Sequence, residues 1–373
     1  MPKCKIHLVA GTRPNVMKIA PLYKAMQRHS WCHPRIIFLQ QHSSANMGTD
    51  LFCQFGIDDV TVLPLAQGDL GERIGGIISA YTQALRDDAP DLVVVPGDVD
   101  VSLGAAIAAK REMRTVAHLE AGLRSNDMRM PEELNRVMID AISDILLAPS
   151  EAAAENLVFA ESRPRAMVHF VGNIMIDALR SVRDPIVSAQ LMKRYDLESK
   201  RFAVATFHRP SNVDVAESLE QVVQVLEGLA VGRHIVFPIH PRTQNRLSDK
   251  QLQRLQKNER ILVIEPMAYA QFVNLVANAE FVVTDSGGIQ EETSYLGTPC
   301  LTLRETTERP ITTIIGTNML VSFDDVLLHA DLLRDRKWPS QTIPLWDGET
   351  SHRCAHVFNN WWRGREASLA IQR

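Results

Sequence analysis

The feature that most constrains the fold is a regular alternation of short apolar runs with longer amphipathic stretches. The apolar runs are rich in Val, Ile and Leu and nearly continuous, which is typical of strands buried on both faces of a parallel sheet. Each run leads through a turn into a stretch whose apolar residues recur with the helical period. Because parallel strands need such a crossover, the sequence predicts an α/β protein with parallel sheets.

The alternation occurs twice along the 373 residues, which are more than one hydrophobic core usually serves. A charged stretch at 193–201 lies between the two series, as expected near a domain boundary. We predict two Rossmann-like domains facing each other across a cleft, at 1–172 and 173–354, with a closing helix near 355–373 that is a candidate to pack back on the first. The predicted strands are 6–10, 35–39, 60–63, 92–95, 115–119, 145–148, 168–171, 202–206, 235–239, 261–264, 281–284 and 300–303.

Charge and composition argue against several classes of partner. The formal net charge of −4 gives no electrostatic reason to expect nucleic acid or an anionic membrane surface. The longest apolar runs have the length of strands, so we predict no membrane span, and the amino-terminal run is too short for a signal peptide. The five cysteines are scattered without a CxxC pair, which favours a reducing cytoplasm over disulfides or structural zinc.

Carboxylates follow two predicted strands of the first domain. Asp98 ends one strand in the sequence Pro-Gly-Asp, and the next strand carries His118 and runs into Glu120. Glu132 and Glu133 then begin a predicted helix directly after a proline, which is favoured in the first turn. Ligands bind beyond the carboxyl ends of strands in an open parallel sheet, so these groups are placed where chemistry occurs.

Two cations lie where the first strand meets its helix. The strand ends in Gly-Thr-Arg-Pro, so Arg13 and Lys18 are near a helix amino terminus, where the backbone dipole attracts anions. The alternative is that Gly11 only makes a tight turn and both cations are solvated; we favour the anion site.

The strongest signal in the second domain is a strand followed by a Ser-Gly-Gly turn and a helix. The backbone amides of Ser286, Gly287 and Gly288 can approach a phosphate without obstruction by side chains, and the helix dipole adds to the attraction. Glu292, one turn further along, is in reach of ribose hydroxyls. A plain left-handed turn is the alternative reading.

Two histidines end strands of the second domain, and an arginine follows each of them. His208 precedes Arg209, and His240 precedes Arg242 by two residues. One histidine at a strand end is more often structural, but two on parallel strands with arginines favour a diphosphate site.

We predict neither a metal nor an organic cofactor. No GxGxxG fingerprint follows any strand, which argues against a dinucleotide. Asp98 and Asp100 form a DxD triplet that could hold a divalent ion on a diphosphate, but so short a pattern is common by chance.

Together these motifs resemble the non-hydrolysing UDP-N-acetylglucosamine 2-epimerase family. The resemblance runs in order from Gly11 to about Pro310 and is carried by GTRPNVMKIAPL, PGD, HLEAGLRS, MPEELNR, APSE, GNIMIDAL, HRPSN, DSGGIQEE and TTERP. It implies two Rossmann domains arranged as in the nucleotide-sugar glycosyltransferases of the B-type fold. It also implies interconversion of UDP-N-acetylglucosamine and UDP-N-acetylmannosamine, by anti elimination of UDP to an acetamidoglucal and re-addition of UDP.

The resemblance also assigns roles to residues, while leaving open which carboxylate is acid and which is base. The implied catalytic residues are Asp98, Glu120, Glu132 and His208. The implied substrate-binding residues are Arg13, Lys18, His240, Ser286, Gly287, Gly288, Glu292 and Arg309. The family has an allosteric site for UDP-N-acetylglucosamine, and the candidates in the matching segments are Gln41, His42, Arg73 and Arg209. A cytoplasmic homodimer in surface polysaccharide or capsule assembly is the expectation from family habit.

Departures from the family pattern keep alternatives open. Asn15 stands where many members have Glu, and the loop 125–130 is shorter than in the best-known bacterial members. The shorter loop is similar to a branch that includes epimerases of other UDP-2-acetamido sugars. Three other interpretations remain: a retaining glycosyltransferase of the same fold, a catalytically silent nucleotide-sugar-binding module, and an epimerase that releases free N-acetylmannosamine.

Overall fold

The computed structural model describes residues 3–40, 49–65, 68–333 and 342–371. The chain forms two compact units, Met1–Ser181 with Pro344–Arg373, and Val182–Ile343. The predicted domains, 1–172 and 173–354, would instead assign the segments 173–181 and 344–354 to the second unit. Each unit is a parallel α/β sheet, as the alternation predicted.

The first unit contains seven strands and the first seven helices among the described residues. Its strands are β1 (Cys4–Ala10), β2 (Cys32–Gln40), β3 (Val60–Pro64), β4 (Leu92–Pro96), β5 (Thr115–Leu119), β6 (Ile145–Ala148) and β7 (Val168–Phe170). The helices are α1 (Arg13–Gln27), α2 (Thr49–Gln54), α3 (Leu70–Asp88), α4 (Asp100–Arg111), α5 (Pro131–Ile142), α6 (Glu151–Glu155) and α7 (Ile174–Val182), with a π-helical turn at Asn156–Ala160 and a 3-10 turn at Arg165–Met167.

The second unit repeats the same plan. Its strands are β8 (Phe202–Thr206), β9 (His234–Pro238), β10 (Ile261–Ile264), β11 (Phe281–Thr284), β12 (Cys300–Leu303) and β13 (Asn318–Val321). Its helices are α8 (Pro185–Arg194), α9 (Pro210–Val213), α10 (Ala216–Leu229), α11 (Pro241–Arg246), α12 (Asp249–Lys257), α13 (Tyr269–Asn278), α14 (Gly287–Leu296), α15 (Pro310–Ile314) and α16 (Val326–Leu332).

The last helix, α17 (Thr350–Ile371), returns to the first unit and packs against α1. Its beginning is capped by Asp177 of α7, whose carboxylate accepts from the backbone amides of Thr350 at 3.2 Å and Ser351 at 2.7 Å. Unpaired amides at a helix start need such acceptors, so this contact ties α7 and α17 together. The tie accounts for both segments belonging to the first unit.

The two sheets share one strand order over six strands, and the first sheet has β7 in addition. The strand order is β3-β2-β1-β4-β5-β6-β7 in the first and β10-β9-β8-β11-β12-β13 in the second, with parallel pairing throughout. In each sheet the order reverses beside the first strand of the unit, between β1 and β4 and between β8 and β11. Loops diverge at such a switch point and leave a crevice, which is where ligands bind in open α/β sheets.

The predicted strands agree with the observed ones to within a few residues, with one omission. Strands 115–119, 145–148, 202–206, 261–264, 281–284 and 300–303 coincide with the structure. The prediction omitted β13, a short edge strand that opens on the polar Asn318 and pairs with β12 alone. None of the helices in the described ranges is long and apolar enough to cross a membrane.

Candidate active site

The switch point of the first unit depends on two glycines. A Cβ on Gly11 would lie 2.5 Å from a Val101 methyl and 2.9 Å from the Leu39 carbonyl oxygen, so β1 can turn into α1 only without a side chain. Gly97, directly after β4, has φ +64°, a left-handed conformation that favours glycine. These turns place Arg13, Lys18 and Asp98 at one edge of the sheet.

Lys18 and Glu120 form a buried ion pair at this edge. The ammonium of Lys18 contacts Glu120 Oε2, and the two residues are 9% and 8% exposed. The ammonium also lies 2.7 Å from where a Cβ of Gly97 would be, which places the pair against the Pro-Gly-Asp turn. Arg13 is exposed at the first turn of α1. The structure thus brings one predicted cation, Lys18, into contact with a predicted carboxylate, and it places Arg13 at the start of the same helix.

Asp98 is held by the neighbouring helix α5. Arg136 pairs with Asp98 through one guanidinium nitrogen and donates to Glu133 Oε2 at 2.7 Å through another. Glu133 is buried and also accepts from the backbone amides of Ser125 and Asn126 at 2.9 and 3.0 Å. Glu133 therefore supports the short loop and Arg136, whereas the adjacent Glu132 is exposed at the first turn of α5.

Asp100 of the DxD triplet is engaged by side chains. Its carboxylate accepts from Asn135 Nδ2 at 3.0 Å and lies 3.8 Å from Arg73. Within the described ranges, no group of three or more His, Cys, Asp or Glu side chains is arranged to hold a metal ion.

The switch point of the second unit is organised by Asp285, at the end of β11. Its buried carboxylate accepts from the backbone amides of His208 at 3.0 Å and Arg209 at 2.9 Å, and from Asn212 Nδ2 at 3.1 Å. The same carboxylate lies 3.2 Å from His208 Nδ1. Asp285 thus fixes the loop after β8 and the orientation of the His208 ring.

His208 and His240 lie side by side, as their strand positions predicted. Their ring centroids are 5.2 Å apart. Burial lowers the pKa of His208, while Asp285 opposes the shift and the positive charges of His240 and Arg209 add to it. Burial likewise lowers the pKa of His240. Both shifts favour the neutral form of each ring in the protein without a bound anion.

The Ser-Gly-Gly turn opens α14 as predicted. A Cβ on Gly287 would lie 2.8 Å from Arg309 Nη1, whereas no described atom lies within 4 Å of the corresponding position at Gly288. Arg309 pairs with Glu291 at 3.0 Å. A helix amino terminus with an arginine beside bare glycine backbone is suited to binding a phosphate.

Glu292 is buried on the second turn of α14. Burial raises its pKa from 4.5 to about 7, while the nearby Tyr269 hydroxyl opposes the rise and the charge of Glu291 adds to it. This carboxylate can therefore change protonation state near neutral pH.

Two allosteric candidates, Gln41 and His42, lie outside the described residues. Arg73 is half-exposed beside Asp100. The Nε atom of Arg209 is buried and makes no hydrogen bond within the part of the chain that the structure describes. The structure therefore places only Arg73 and Arg209 of this set, one in each unit.

The sequence analysis missed Arg136 and Asp285 as site residues, although both lie inside the motifs MPEELNR and DSGGIQEE. His118 also differs from its interpretation, because both its ring nitrogens are hydrogen-bonded in the core, to Asp140 at 2.6 Å and to the Gly97 carbonyl at 2.8 Å. An acidic residue directly after a buried strand was the available signal for Asp285.

Comparisons with known proteins identify the family of the chain. The profile of the family described as UDP-N-acetylglucosamine 2-epimerase matches residues 24–359. The UDP-N-acetylglucosamine 2-epimerase of Methanocaldococcus jannaschii is 36% identical over 95% of this chain and 98% of its own. A crystal structure of that organism's enzyme, in complex with UDP-GlcNAc and UDP, superposes with a TM-score of 0.83 at 34% identity, over 95% of this chain and 99% of the other. The UDP-2,3-diacetamido-2,3-dideoxy-D-glucuronate 2-epimerase of Pseudomonas aeruginosa is 33% identical over 85% of this chain and 88% of its own. The chain belongs to the UDP-N-acetylglucosamine 2-epimerase family.

Proposed function

We propose that this protein interconverts UDP-N-acetylglucosamine and UDP-N-acetylmannosamine by inverting C2. In the first step a base removes the C2 proton, the bond from C1 to the UDP oxygen breaks, and a 2-acetamidoglucal forms. In the second step UDP adds back to C1 while an acid delivers a proton to the opposite face of C2. The observation that carries this proposal is the pair of carboxylates, Asp98 and Glu120, each held against a cation at the switch point of one sheet.

We propose that the first unit supplies the general acid and the general base of the reaction. Asp98, Glu120 and Glu132 are the candidate acids and bases, and Arg13 and Lys18 would neutralise the departing diphosphate. An anionic diphosphate competes with Glu120 for the Lys18 ammonium. Binding of the substrate would therefore draw Lys18 away from Glu120 and leave this buried carboxylate free to act at C2.

Binding of UDP is the role we propose for the second unit. The amides of Ser286, Gly287 and Gly288 with Arg309 would hold phosphate, and Glu292 the ribose. His208, assisted by His240, would stabilise the charge that develops on UDP as the bond to C1 breaks. The support is the pair of neighbouring histidine rings beside an anchored loop, together with the bare amino terminus of α14.

A second substrate has a specific observation in its favour. The Pseudomonas aeruginosa relative is named for a UDP-2,3-diacetamido uronate, and it is nearly as similar as the relatives named for UDP-N-acetylglucosamine. Another UDP-2-acetamido sugar is therefore the alternative substrate. We further propose that the protein works as a cytoplasmic homodimer in polysaccharide assembly, supported by the resemblance and by five cysteines that are all free thiols.

Proton NMR with UDP-N-acetylglucosamine in deuterated water tests the proposal. The expected result is UDP-N-acetylmannosamine with deuterium at C2. Free N-acetylmannosamine with UDP would identify the hydrolysing variant, and turnover that requires an added acceptor sugar would identify a glycosyltransferase. Turnover of the UDP-diacetamido uronate alone would establish the alternative substrate.

A further inference from the structure

His118 and Asp140 form a buried pair that the proposed chemistry does not use. His118 is on β5 and Asp140 on α5, and both side chains are 0% exposed. His118 Nδ1 lies 2.6 Å from Asp140 Oδ1, and its Nε2 donates to the Gly97 carbonyl oxygen at 2.8 Å. Each ring nitrogen thus faces an oxygen atom of the protein, so neither nitrogen is open to a substrate.

Through Gly97 this pair reaches the turn that presents Asp98. Three successive carbonyls of the turn accept hydrogen bonds from side chains. Pro96 O accepts from Asn15 Nδ2 at 3.1 Å and Ser102 Oγ at 2.6 Å, Gly97 O accepts from His118, and Asp98 O accepts from Asn135 Nδ2 at 2.9 Å. His118 therefore donates to the middle one of three successive carbonyls whose hydrogen bonds hold this turn in place.

Through Asp140 the same pair reaches the segment that presents Glu120. Asp140 Oδ2 accepts from the Gly122 amide at 3.0 Å and from Arg124 Nη2 at 2.6 Å. Glu120 has φ +73°, a left-handed conformation that is costly for a residue with a side chain and persists only when its surroundings hold it. The bond to Gly122, two residues further on, is one of those restraints.

We propose that His118 and Asp140 are positioning residues that set Asp98 and Glu120 relative to each other for proton transfer at C2. Neither residue touches substrate. The inference rests on the proposed function, because it assigns Asp98 and Glu120 to the reaction. A displacement of about 1 Å in a reacting group can lower the rate by about 100-fold, so loss of the pair should be visible in turnover.

Two substitutions of His118 separate its two bonds. The amide nitrogen of asparagine approximates the position of Nδ1, so H118N keeps the contact with Asp140 and loses the hydrogen bond to the Gly97 carbonyl. The amide nitrogen of glutamine approximates the position of Nε2, so H118Q keeps the hydrogen bond to the Gly97 carbonyl and loses the contact with Asp140. The matched control is H7N, because His7 is also buried in the first unit and also pairs with a carboxylate, Asp88 at 2.9 Å. His7 contacts neither the turn that carries Asp98 nor the segment that carries Glu120.

The first measurement is steady-state epimerisation with KM and kcat determined separately. We expect H118N to lose about 100-fold in kcat with KM changed by less than about 3-fold, H118Q to retain more activity than H118N, and H7N to match the wild type. An H118N enzyme with the kcat of H7N would overturn the positioning role, given an active wild type.

The second measurement is amide hydrogen exchange by mass spectrometry, which does not require activity. We expect peptides that cover 96–100 to exchange faster in H118N, and peptides that cover 120–125 to exchange faster in H118Q, with neither change in H7N. Unaltered exchange in both variants would overturn the proposal. An inactive wild type with the expected exchange pattern would instead contradict the proposed function alone. If H118N does not fold, H118Q against H7N decides both measurements.

Discussion

Asp98 and Glu120 each lie against a cation, Arg136 and Lys18, yet their supports differ. Arg136 is itself anchored by buried Glu133, so Asp98 has a fixed partner. Lys18 is an ammonium on a flexible stem and can exchange one anion for another. Glu120 is therefore the carboxylate whose surroundings change most when a diphosphate arrives.

Removing the charge from any one of the three candidate carboxylates should impair turnover. We expect Asp98→Asn, Glu120→Gln and Glu132→Gln each to lower kcat by about 100-fold or more, the usual contribution of a general acid or base. The measurement is initial-rate epimerisation. Glu151→Gln is the matched control, because Glu151 is also exposed in a first helical turn, and it should leave the rate unchanged. Rates near the wild-type value in all three variants would refute the acid–base assignment.

Glu292 should make the stability of the protein depend on pH. Its pKa is about 7 in the fold and 4.5 ordinarily, so between these values the folded state binds a proton that the unfolded state releases. The contribution of Glu292 to the free energy of unfolding is fully present below about pH 4.5. It is lost as pH rises through 7, by on the order of 3 kcal/mol. Glu292→Gln, which cannot ionise, should be more stable than the wild type at about pH 8 and similar near pH 4.5. Urea unfolding at both values measures this difference, and a constant difference would contradict the raised pKa.

At the scale of elements, the first turn of α14 has a sequence that suits ligand binding better than helix stability. Gly288 has open space where a Cβ would be, although alanine is the better helix former. Because Gly288 lies in the first helical turn after β11, at the switch point of the second unit, a glycine that the fold does not require there indicates that a ligand approaches its backbone closely.

Gly288→Ala should therefore stabilise the fold and weaken UDP binding. We expect a slightly higher melting temperature, from a gain of up to about 1 kcal/mol, and an affinity for UDP lower by at least about 10-fold by calorimetry. Gly364→Ala on α17 is the control, since its Cβ also meets open space, and it should stabilise without changing UDP affinity. Unaltered UDP affinity in Gly288→Ala would mean that phosphate binds elsewhere.

The elements themselves were largely predictable, and the relations among their side chains were not. Strands such as β5 and β11 stand out because a continuous apolar run between turns has few other structures available to it. By contrast, β13 has a partner on one side only and an apolar run of just three residues, 319–321, so pairing with β12 decides its structure. In the site, the position of Glu120 after a strand was predictable, but its pairing with Lys18, which is distant in sequence, was not.

At the scale of the whole molecule, the second unit is one continuous segment, whereas the first is closed by α17 from the far end of the chain. The stability of the first unit therefore depends on a helix that the whole second unit separates from the rest of its own unit in sequence. Phe358 on α17 is fully buried, with 0% exposure.

Phe358→Ala should destabilise the first unit by about 3–5 kcal/mol, the usual loss for a buried phenylalanine. Phe159→Ala is the control, since Phe159 is 72% exposed in the same unit, and it should change stability by less than about 0.5 kcal/mol. Denaturant unfolding followed by circular dichroism measures both. Equal unfolding curves for the two variants would show that α17 contributes little to the first unit.

The sequence by itself determined the two parallel α/β series, the turns that end their strands and the residue types placed there, because local periodicity and turn chemistry depend on near neighbours along the chain. Only the tertiary structure decided that α7 and α17 close the first unit, that Lys18 faces Glu120, that Arg136 holds Asp98, and that Asp285 organises the loop of His208. These contacts join residues far apart in sequence, and burial in a common core selects them, so no local pattern contains them.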